Sequence, residues 1–325
     1  MKKNIVVIAG GNSSEYEVSI KSGNHIFSEI DEEKYNKYLM ILRGREWMVE
    51  IGDQKWPVDK NDFSFVRAGE KIIFDFAYIT IHGNPGENGM LQGYLDMMRV
   101  PYSTCSTLVE AMTFDKYTCT NYLSNFGIKT TQPILLTRGK AFDKEAVLKA
   151  VGLPCFVKPN AEGSSFGVSK VKSAEDFETA IETAFGKCKE ILVESFIDGT
   201  EFTCGLYKVG DKKVIMPVAE VIPKKEFFDY EAKYDAKMSE EIIPGRFSEE
   251  ITDRIQEMAS VVYDVLRCDG IIRIDGFVRG EEVIMLEVNT TPGMTANSFV
   301  PKMVKVMGIR LRDVLTEIIE DKLNR

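Results

Sequence analysis

The chain is predicted to fold as two or three packed lobes of mixed α/β and α+β character, the first built on a doubly wound parallel sheet. Three observations carry this. Its 325 residues exceed what one hydrophobic core holds, about 250–300. Apolar runs and helical stretches alternate along the first hundred residues, the pattern of parallel βαβ units. Further along, pairs of short apolar runs flank glycine-containing loops and read as hairpins.

Asn4–Ala9 is an apolar strand, Gly10-Gly11-Asn12 a turn, and a helix follows from Ser14 to Ile30. Ile72–Ile81 reads as one buried strand, ending in the glycine-rich loop His82–Gly93. One helix is expected from Ser106 to Phe126, stopping at Gly127, a residue type suited to a helix C-terminus. In the second lobe, Cys155–Pro159 and Val168–Val171 are strands joined by a loop holding Gly163 and Gly167. Ser173 is expected to open a helix, with Asp176 placed for a capping box. Ile191–Phe196, Glu201–Lys208 and Val214–Ile222 are strands, whereas Pro223–Phe247 is charged and aperiodic. Ile251, Ile255, Ala259, Val262 and Leu266 form one stripe of a helix over Glu249–Arg267. Gly270–Arg279 and Val283–Asn289 are strands, and a last helix begins at Leu311.

Composition narrows the function. A net charge of -9 argues against a nucleic-acid binder, whose affinity rests on a basic footprint. No run approaches the ~18 apolar residues of a membrane span, and the apolar run at Ile5–Ala9 is too short for a secretory leader. The six cysteines show no CxxC spacing and read as reduced thiols of a cytoplasmic protein. With two histidines, His25 and His82, the chemistry must rest on carboxylates, Lys, Arg, Ser and Tyr rather than on histidine-bound zinc.

Four constellations can carry such chemistry. Arg273 and Asp275 share one face of a strand, as do Glu287 and Asn289 of the next, while Ile274 and Val288 face the other way. Paired as a hairpin, these strands would set three oxygen donors beside one guanidinium, which suits Mg²⁺ and a transferred phosphoryl group. Taken alone, the same pattern also fits an ordinary sheet face with a salt bridge. Lys158-Pro-Asn-Ala-Glu-Gly163-Ser-Ser-Phe-Gly167 joins a point charge to small residues whose backbone N–H groups can approach phosphate. Taken alone it is a hairpin turn, and it is not a Walker loop. Glu194 and Glu201 bracket a strand end and turn that could contact a base and ribose. Glu15 opens the first helix, where the macrodipole alone favours an acid.

Eight blocks in one order resemble the D-alanine–D-alanine ligases, a branch of the ATP-grasp superfamily. They are GGNSSEYEVS (10–19), HGNPGENGMLQG (82–93), FDK (114–116), VKPNAEGSSFGVSKV (157–171), VESFIDGTEFT (193–203), FFDYEAKY (227–234), GIIRIDGF (270–277) and LEVNTTPGMTANSFVP (286–301). The resemblance implies an ATP-grasp fold of three lobes, placed at 1–103, 104–189 and 190–325, with ATP between the second and third. It implies ligation of two D-alanines through D-alanyl phosphate, for peptidoglycan precursors, in a homodimer using ATP with Mg²⁺, or Mn²⁺ in its place. Lys116, Lys158, Ser164, Ser165, Glu194, Glu201 and Lys233 match ATP-contacting positions. Asp275, Glu287 and Asn289 match the metal ligands. Glu15, Ser164 and Tyr234 match a trio at the first substrate. Arg273 and the Gly293 N–H match the oxyanion donors, and Ser298 the residue holding the second carboxylate.

Because an acyl phosphate hydrolyses readily, Pro223–Phe247 is expected to close as a lid that excludes water. His82 either lines the first-substrate pocket or orders its loop. Ala161 and Phe299 depart from the family pattern, in the flap and beside Ser298. Three alternatives are a ligase of another acid, distinguished by Glu15, Tyr234 and Ser298; a non-catalytic nucleotide-binding module, against which Arg273 and the full metal set argue; and a nicotinamide dehydrogenase, against which the missing glycine fingerprint argues.

Overall fold

The computed structural model describes residues 2–163, 167–223 and 239–325. Strand β1 (Lys3–Gly10) pairs in parallel with β2 (Tyr35–Arg43) on one side and β7 (Phe76–Ile79) on the other. Helix α1 (Tyr16–Glu29) is the crossover from β1 to β2. Both faces of β1 are covered. Ile5, Val7 and Ala9 enter one core while Val6 and Ile8 enter another, so the strand reads as a continuous apolar run. Each fully buried aliphatic side chain contributes roughly 1.5–3 kcal/mol.

Beyond β2 the sheet turns antiparallel. β3 (Glu46–Ile51), β4 (Gln54–Asp59), β5 (Ser64–Arg67) and β6 (Glu70–Ile73) complete a mixed sheet ordered β6-β5-β4-β3-β2-β1-β7. The β2–β3 and β3–β4 reversals carry Gly44 and Gly52 at φ 57° and 58°, a region open to glycine. The parallel arrangement read from sequence is therefore confined to β2-β1-β7. The single strand expected over Ile72–Ile81 is two strands at opposite ends of the sheet. Asp75 marks the break: its carboxylate accepts the Asn4 N–H at 2.9 Å and pairs with Lys3 at 2.8 Å. Helix α2 (Met90–Met98) takes up the last four residues of the expected loop His82–Gly93.

The second sheet is antiparallel, ordered β10-β9-β11-β8 from β8 (Ile134–Thr137), β9 (Cys155–Pro159), β10 (Ser169–Val171) and β11 (Glu190–Ser195). Helices α5 (Lys144–Val151) and α6 (Phe177–Phe185) share its core. The expected capping box does not form. The Ser173 hydroxyl donates to the Asp176 carboxylate at 3.0 Å, and α6 begins only at Phe177. β11, assigned from sequence to the third lobe, pairs in this second sheet.

The third sheet runs β15-β14-β12-β16-β17, with β13 also on β12. Its strands are β12 (Thr200–Val209), β13 (Lys212–Ile215), β14 (Ala219–Pro223), β15 (Ser239–Ile242), β16 (Ile272–Arg279) and β17 (Glu282–Asn289). The strand expected over Val214–Ile222 is broken between β13 and β14, where Pro217 supplies no N–H to a ladder. β15 pairs with β14 inside the segment read as aperiodic. Residues 224–238, with most of the expected lid, lie outside the described residues.

Helix α7 (Glu249–Leu266) buries Ile255, Ala259, Val262 and Leu266 of the expected stripe against this sheet. Helices α8 (Phe299–Val306) and α9 (Leu311–Leu323) join the third lobe to the first: Met303, Val304, Leu315 and Ile318 share a core with Ile5, Val7 and Phe76.

The single helix expected over Ser106–Phe126 is α3 (Thr107–Phe114) and α4 (Lys116–Ser124). Asp115 between them is extended, at φ -82° and ψ 95°. Its Oδ1 accepts the Thr118 N–H and its Oδ2 accepts Asn160 Nδ2, both at 2.8 Å. That cap places Lys116 at the first position of α4. Both helices pack on the third sheet, with Val109, Cys119 and Leu123 in one core with β12, β16 and α7. Asp115→Ala should lower the unfolding free energy by about 1 kcal/mol or more, since it removes a cap and leaves Asn160 short of a partner. Urea melts of the two proteins check this, and coincident curves would contradict it.

Candidate active site

The β16–β17 hairpin forms in the register its alternation suggests. Arg273 stands opposite Asn289, Ile274 opposite Val288, and Asp275 opposite Glu287. Ile274 and Val288 enter the core beneath, which turns the polar four outward together. The register then skips Leu286, a bulge of the kind common beside active sites.

Asp275 accepts hydrogen bonds from three side chains. Arg273 donates to both its oxygens, from Nε at 2.9 Å and from a terminal nitrogen at 2.8 Å. The Thr203 hydroxyl also donates to it, and Asn289 Nδ2 donates at 3.0 Å. That last bond fixes the Asn289 amide and leaves its Oδ1 as the donor available to a cation. Among the described residues no cluster of three His, Cys, Asp or Glu gathers. The oxygen set of Asp275, Glu287 and Asn289 is what the hairpin presents, and hard oxygen donors fit Mg²⁺.

Two lysines face the hairpin. Lys116 Nζ donates to Glu162 O at 2.8 Å and stands 3.7 Å from Glu287 Oε2. Lys158, from β9, pairs with Glu194 of β11 at 2.7 Å, and the Thr131 hydroxyl donates to the other Glu194 oxygen at 2.7 Å. Glu201 lies on β12 beside β16. From the first lobe, Glu15 is buried at the start of α1. A Cβ on Gly163 would stand 2.0 Å from Glu15 Oε2, so only glycine lets the backbone come this close.

Beyond β17 the chain forms the loop Thr290–Asn297, and Ser298 then opens α8. Ser298 Oγ accepts the Thr295 N–H at 3.1 Å, and a Cβ on Gly293 would lie 3.0 Å from it. The loop is held by both histidines of the chain. His82 Nδ1 donates to Thr291 O at 3.0 Å and His25 Nδ1 to Met294 O at 2.7 Å. The Met294 N–H donates to Ser22 Oγ at 3.3 Å.

One cavity of about 820 Å³ is lined by Glu15, Lys116, Lys158, Glu194, Glu201, Arg273, Asp275, Glu287, Asn289, Gly293 and Ser298. Ser164, Ser165, Lys233 and Tyr234 lie outside the described residues. The same cavity is lined by groups the sequence reading did not single out: Glu87, Thr131, Thr203, Thr291 and the Glu220–Arg246 ion pair. Glu87 stands in the quoted HGNPGENG block, but nothing local marks it. Burial pushes its carboxyl up to about 8, and the Glu15 carboxylate adds to this; the Gly83 N–H, donating at 2.6 Å, opposes it. Thr291 Oγ1 is buried and has no partner among the described residues.

The fold is that of the ATP-grasp proteins. It matches D-alanyl-alanine synthetase A of Vibrio cholerae with a TM-score of 0.89 at 29% identity, covering 100% of this chain and 99% of that one. The VanG D-Ala:D-Ser ligase of Enterococcus faecalis matches at 0.86 and 33% identity, covering 98% and 99%. A D-alanine–D-alanine ligase of Bacillus anthracis complexed with ATP matches at 0.80 and 29%, covering 99% and 98%. Residues 4–105 match the family model described as D-ala D-ala ligase N-terminus, and 122–320 the one described as its C-terminus. A D-alanine–D-alanine ligase of Bacteroides fragilis is 52% identical over 324 residues, 99% of this chain and 100% of its own length. The chain belongs to the D-alanine–D-alanine ligase family.

His82 yields a pH prediction. Burial lowers its pKa from the ordinary 6.5, against the pull of the Glu15 carboxylate. The neutral ring keeps its proton on Nδ1 for Thr291 O. The unfolded chain takes up a proton near 6.5 and the folded one does not. Stability from this group is therefore fully present above that pH and is lost as pH falls toward the depressed value, by at most about 1.4 kcal/mol per pH unit. Urea melts of wild type and His82→Gln between about pH 5.5 and 8 should diverge, with wild type losing more on acidification; parallel profiles would contradict this.

Proposed function

We propose that this protein joins two D-alanines into D-alanyl-D-alanine, splitting ATP to ADP and phosphate, as a cytoplasmic enzyme of peptidoglycan-precursor synthesis. The observation that carries the reading is the single cavity in which an acid from the first lobe, lysines facing from α4 and β9, and the oxygen-bearing hairpin converge. The 52% identity to a D-alanine–D-alanine ligase over nearly the whole chain supports the substrate. A complex of ATP with a relative supports the nucleotide. The proposal keeps three lobes, with the first division at 103/104 and β11 on the second-lobe side of the next, and includes a homodimer, for which sedimentation should give twice the chain mass.

In this reading ATP lies against Lys116, Lys158, Ser164, Ser165, Glu194, Glu201 and Lys233. Asp275, Glu287 and Asn289 would hold Mg²⁺, which when bound offsets phosphate charge. Glu15, with Ser164 and Tyr234, meets the first D-alanine, whose carboxylate oxygen attacks the γ-phosphorus and expels ADP. The amine of the second D-alanine, held through its carboxylate by Ser298, attacks the acyl carbon. The resulting oxyanion is met by Arg273 and the Gly293 N–H; phosphate then leaves and the amine sheds a proton. Donors fixed before the charge develops need no reorganisation as it appears. Asp275 and Asn289 supply that fixity by anchoring the guanidinium and the end of β17.

With ATP and Mg²⁺, the purified protein should convert D-alanine to the dipeptide with one phosphate released per dipeptide. L-alanine should not substitute, and D-serine and D-lactate should be poorer second substrates. Turnover of another acid with none of D-alanine would overturn the substrate while leaving the ATP-grasp class intact. Glu287→Gln should lower kcat about 100-fold or more, as loss of one transition-state contact does, and change stability by less than about 1 kcal/mol, since the side chain faces the cavity. An unstable variant whose folded fraction keeps full activity would make Glu287 structural.

A further inference from the structure

Helix α3 carries an acid that this mechanism does not use. Glu110 is 0% exposed, in the first turn of α3. Its Oε1 accepts the Cys105 N–H at 2.9 Å, and its Oε2 accepts the Thr290 hydroxyl at 2.6 Å. Thr290 is also buried, and its Oγ1 lies 3.2 Å from that of Thr113, one turn further along α3. Thr113 in turn donates to Val109 O at 2.9 Å. Thr290 immediately follows Asn289 and precedes Thr291-Pro292-Gly293, so this chain of bonds ends at the cavity wall.

We propose that Glu110 is a positioning residue: from inside α3 it holds Thr290, and through it sets where Asn289 and the Gly293 N–H stand. The functional consequence rests on the ligase reading above; the geometric one does not. His82, His25 and Ser22 hold the same loop from the first lobe. Glu110 is the counterpart on the third-lobe side, because α3 packs with β12, β16 and α7.

Packing alone does not call for an acid here. Val109, Cys105 and Cys119 belong to one apolar cluster around α3, and an apolar side chain at 110 would avoid desolvating a carboxyl. What the acid adds is direction. Two accepted hydrogen bonds tie the Cys105 backbone to the Thr290 hydroxyl across the space between α3 and the end of β17. Burial, first of all, holds the carboxyl well above the usual carboxylate range, with the Cys105 thiol and Glu87 pushing the same way and Thr290 opposing. Glutamine has the same shape: its Oε1 can accept the Cys105 N–H and its Nε2 can donate to the Thr290 hydroxyl, which rotates to accept.

The test compares Glu110→Gln, Glu110→Leu and Thr290→Val with wild type in D-alanine-dependent phosphate release and in hydrogen exchange of residues 290–294. Gln should stay within about threefold of wild-type kcat, while Leu and Val each lose about tenfold with KM for ATP moving less than about threefold, one hydrogen bond being worth that factor. The Leu–Val double variant should lose no more than either single, since both remove one link. Exchange at 290–294 should quicken in Leu and Val but not in Gln. Wild-type kcat with unchanged exchange in Thr290→Val overturns the proposal, as does a folded Gln variant as impaired as Leu. If Leu fails to fold, Thr290→Val and Gln decide. A wild type that releases no phosphate with D-alanine counts against the ligase reading, and the exchange arm still decides the role of Glu110.

Discussion

Residues 290–294 leave the end of β17 with polar backbone groups directed away from any sheet, and other lobes satisfy them. His82 and His25 donate to the Thr291 and Met294 carbonyls, Ser22 accepts the Met294 N–H, and Glu110 takes the Thr290 hydroxyl. Buried backbone groups need partners of this kind. The constraint joins the first lobe to the β16–β17 hairpin at the cavity itself. Asn289 stands at one end of the loop and Ser298 at the other. The apolar contact of α8 and α9 with β1 and β7 supports the junction from behind. The site is thus a property of the assembled lobes.

Electrostatics follow the same logic. The chain carries a net charge of -9, yet its cavity gathers cations suited to a polyanion. Three cations there stand against acids: Arg273 on Asp275, Lys158 on Glu194, Lys116 near Glu287. An uncompensated buried charge is costly, so these pairings hold the side chains in position. Hydrogen bonds from Thr203, Asn289 and Thr131 to the acids fix their rotamers as well.

The hairpin was legible in the sequence because period-two alternation is local. Arg273, Asp275, Glu287 and Asn289 share a face whatever surrounds them. The buried helix stripe at Ile255–Leu266 was legible for the same reason. Asp115 was not, because a capping acid inside a helical pattern reads as an ordinary helix residue until Asn160 arrives from 45 positions away to bond it. The strands β3 to β5 went unassigned because their residues mix polar and apolar types. Glu87 and Glu110 were hidden more deeply. Each is an acid in an unremarkable local setting, and only tertiary burial and a partner on another segment distinguish it.

Activation of a carboxylate as an acyl phosphate within this cavity can be followed by isotope tracing. D-alanine labelled with ¹⁸O in both carboxylate oxygens is turned over with unlabelled ATP, and the products are weighed by mass spectrometry. The account predicts one ¹⁸O in each released phosphate and one retained in the new amide carbonyl, because the attacking carboxylate oxygen leaves with the phosphoryl group. Phosphate without label, or label carried in the nucleotide, would contradict it.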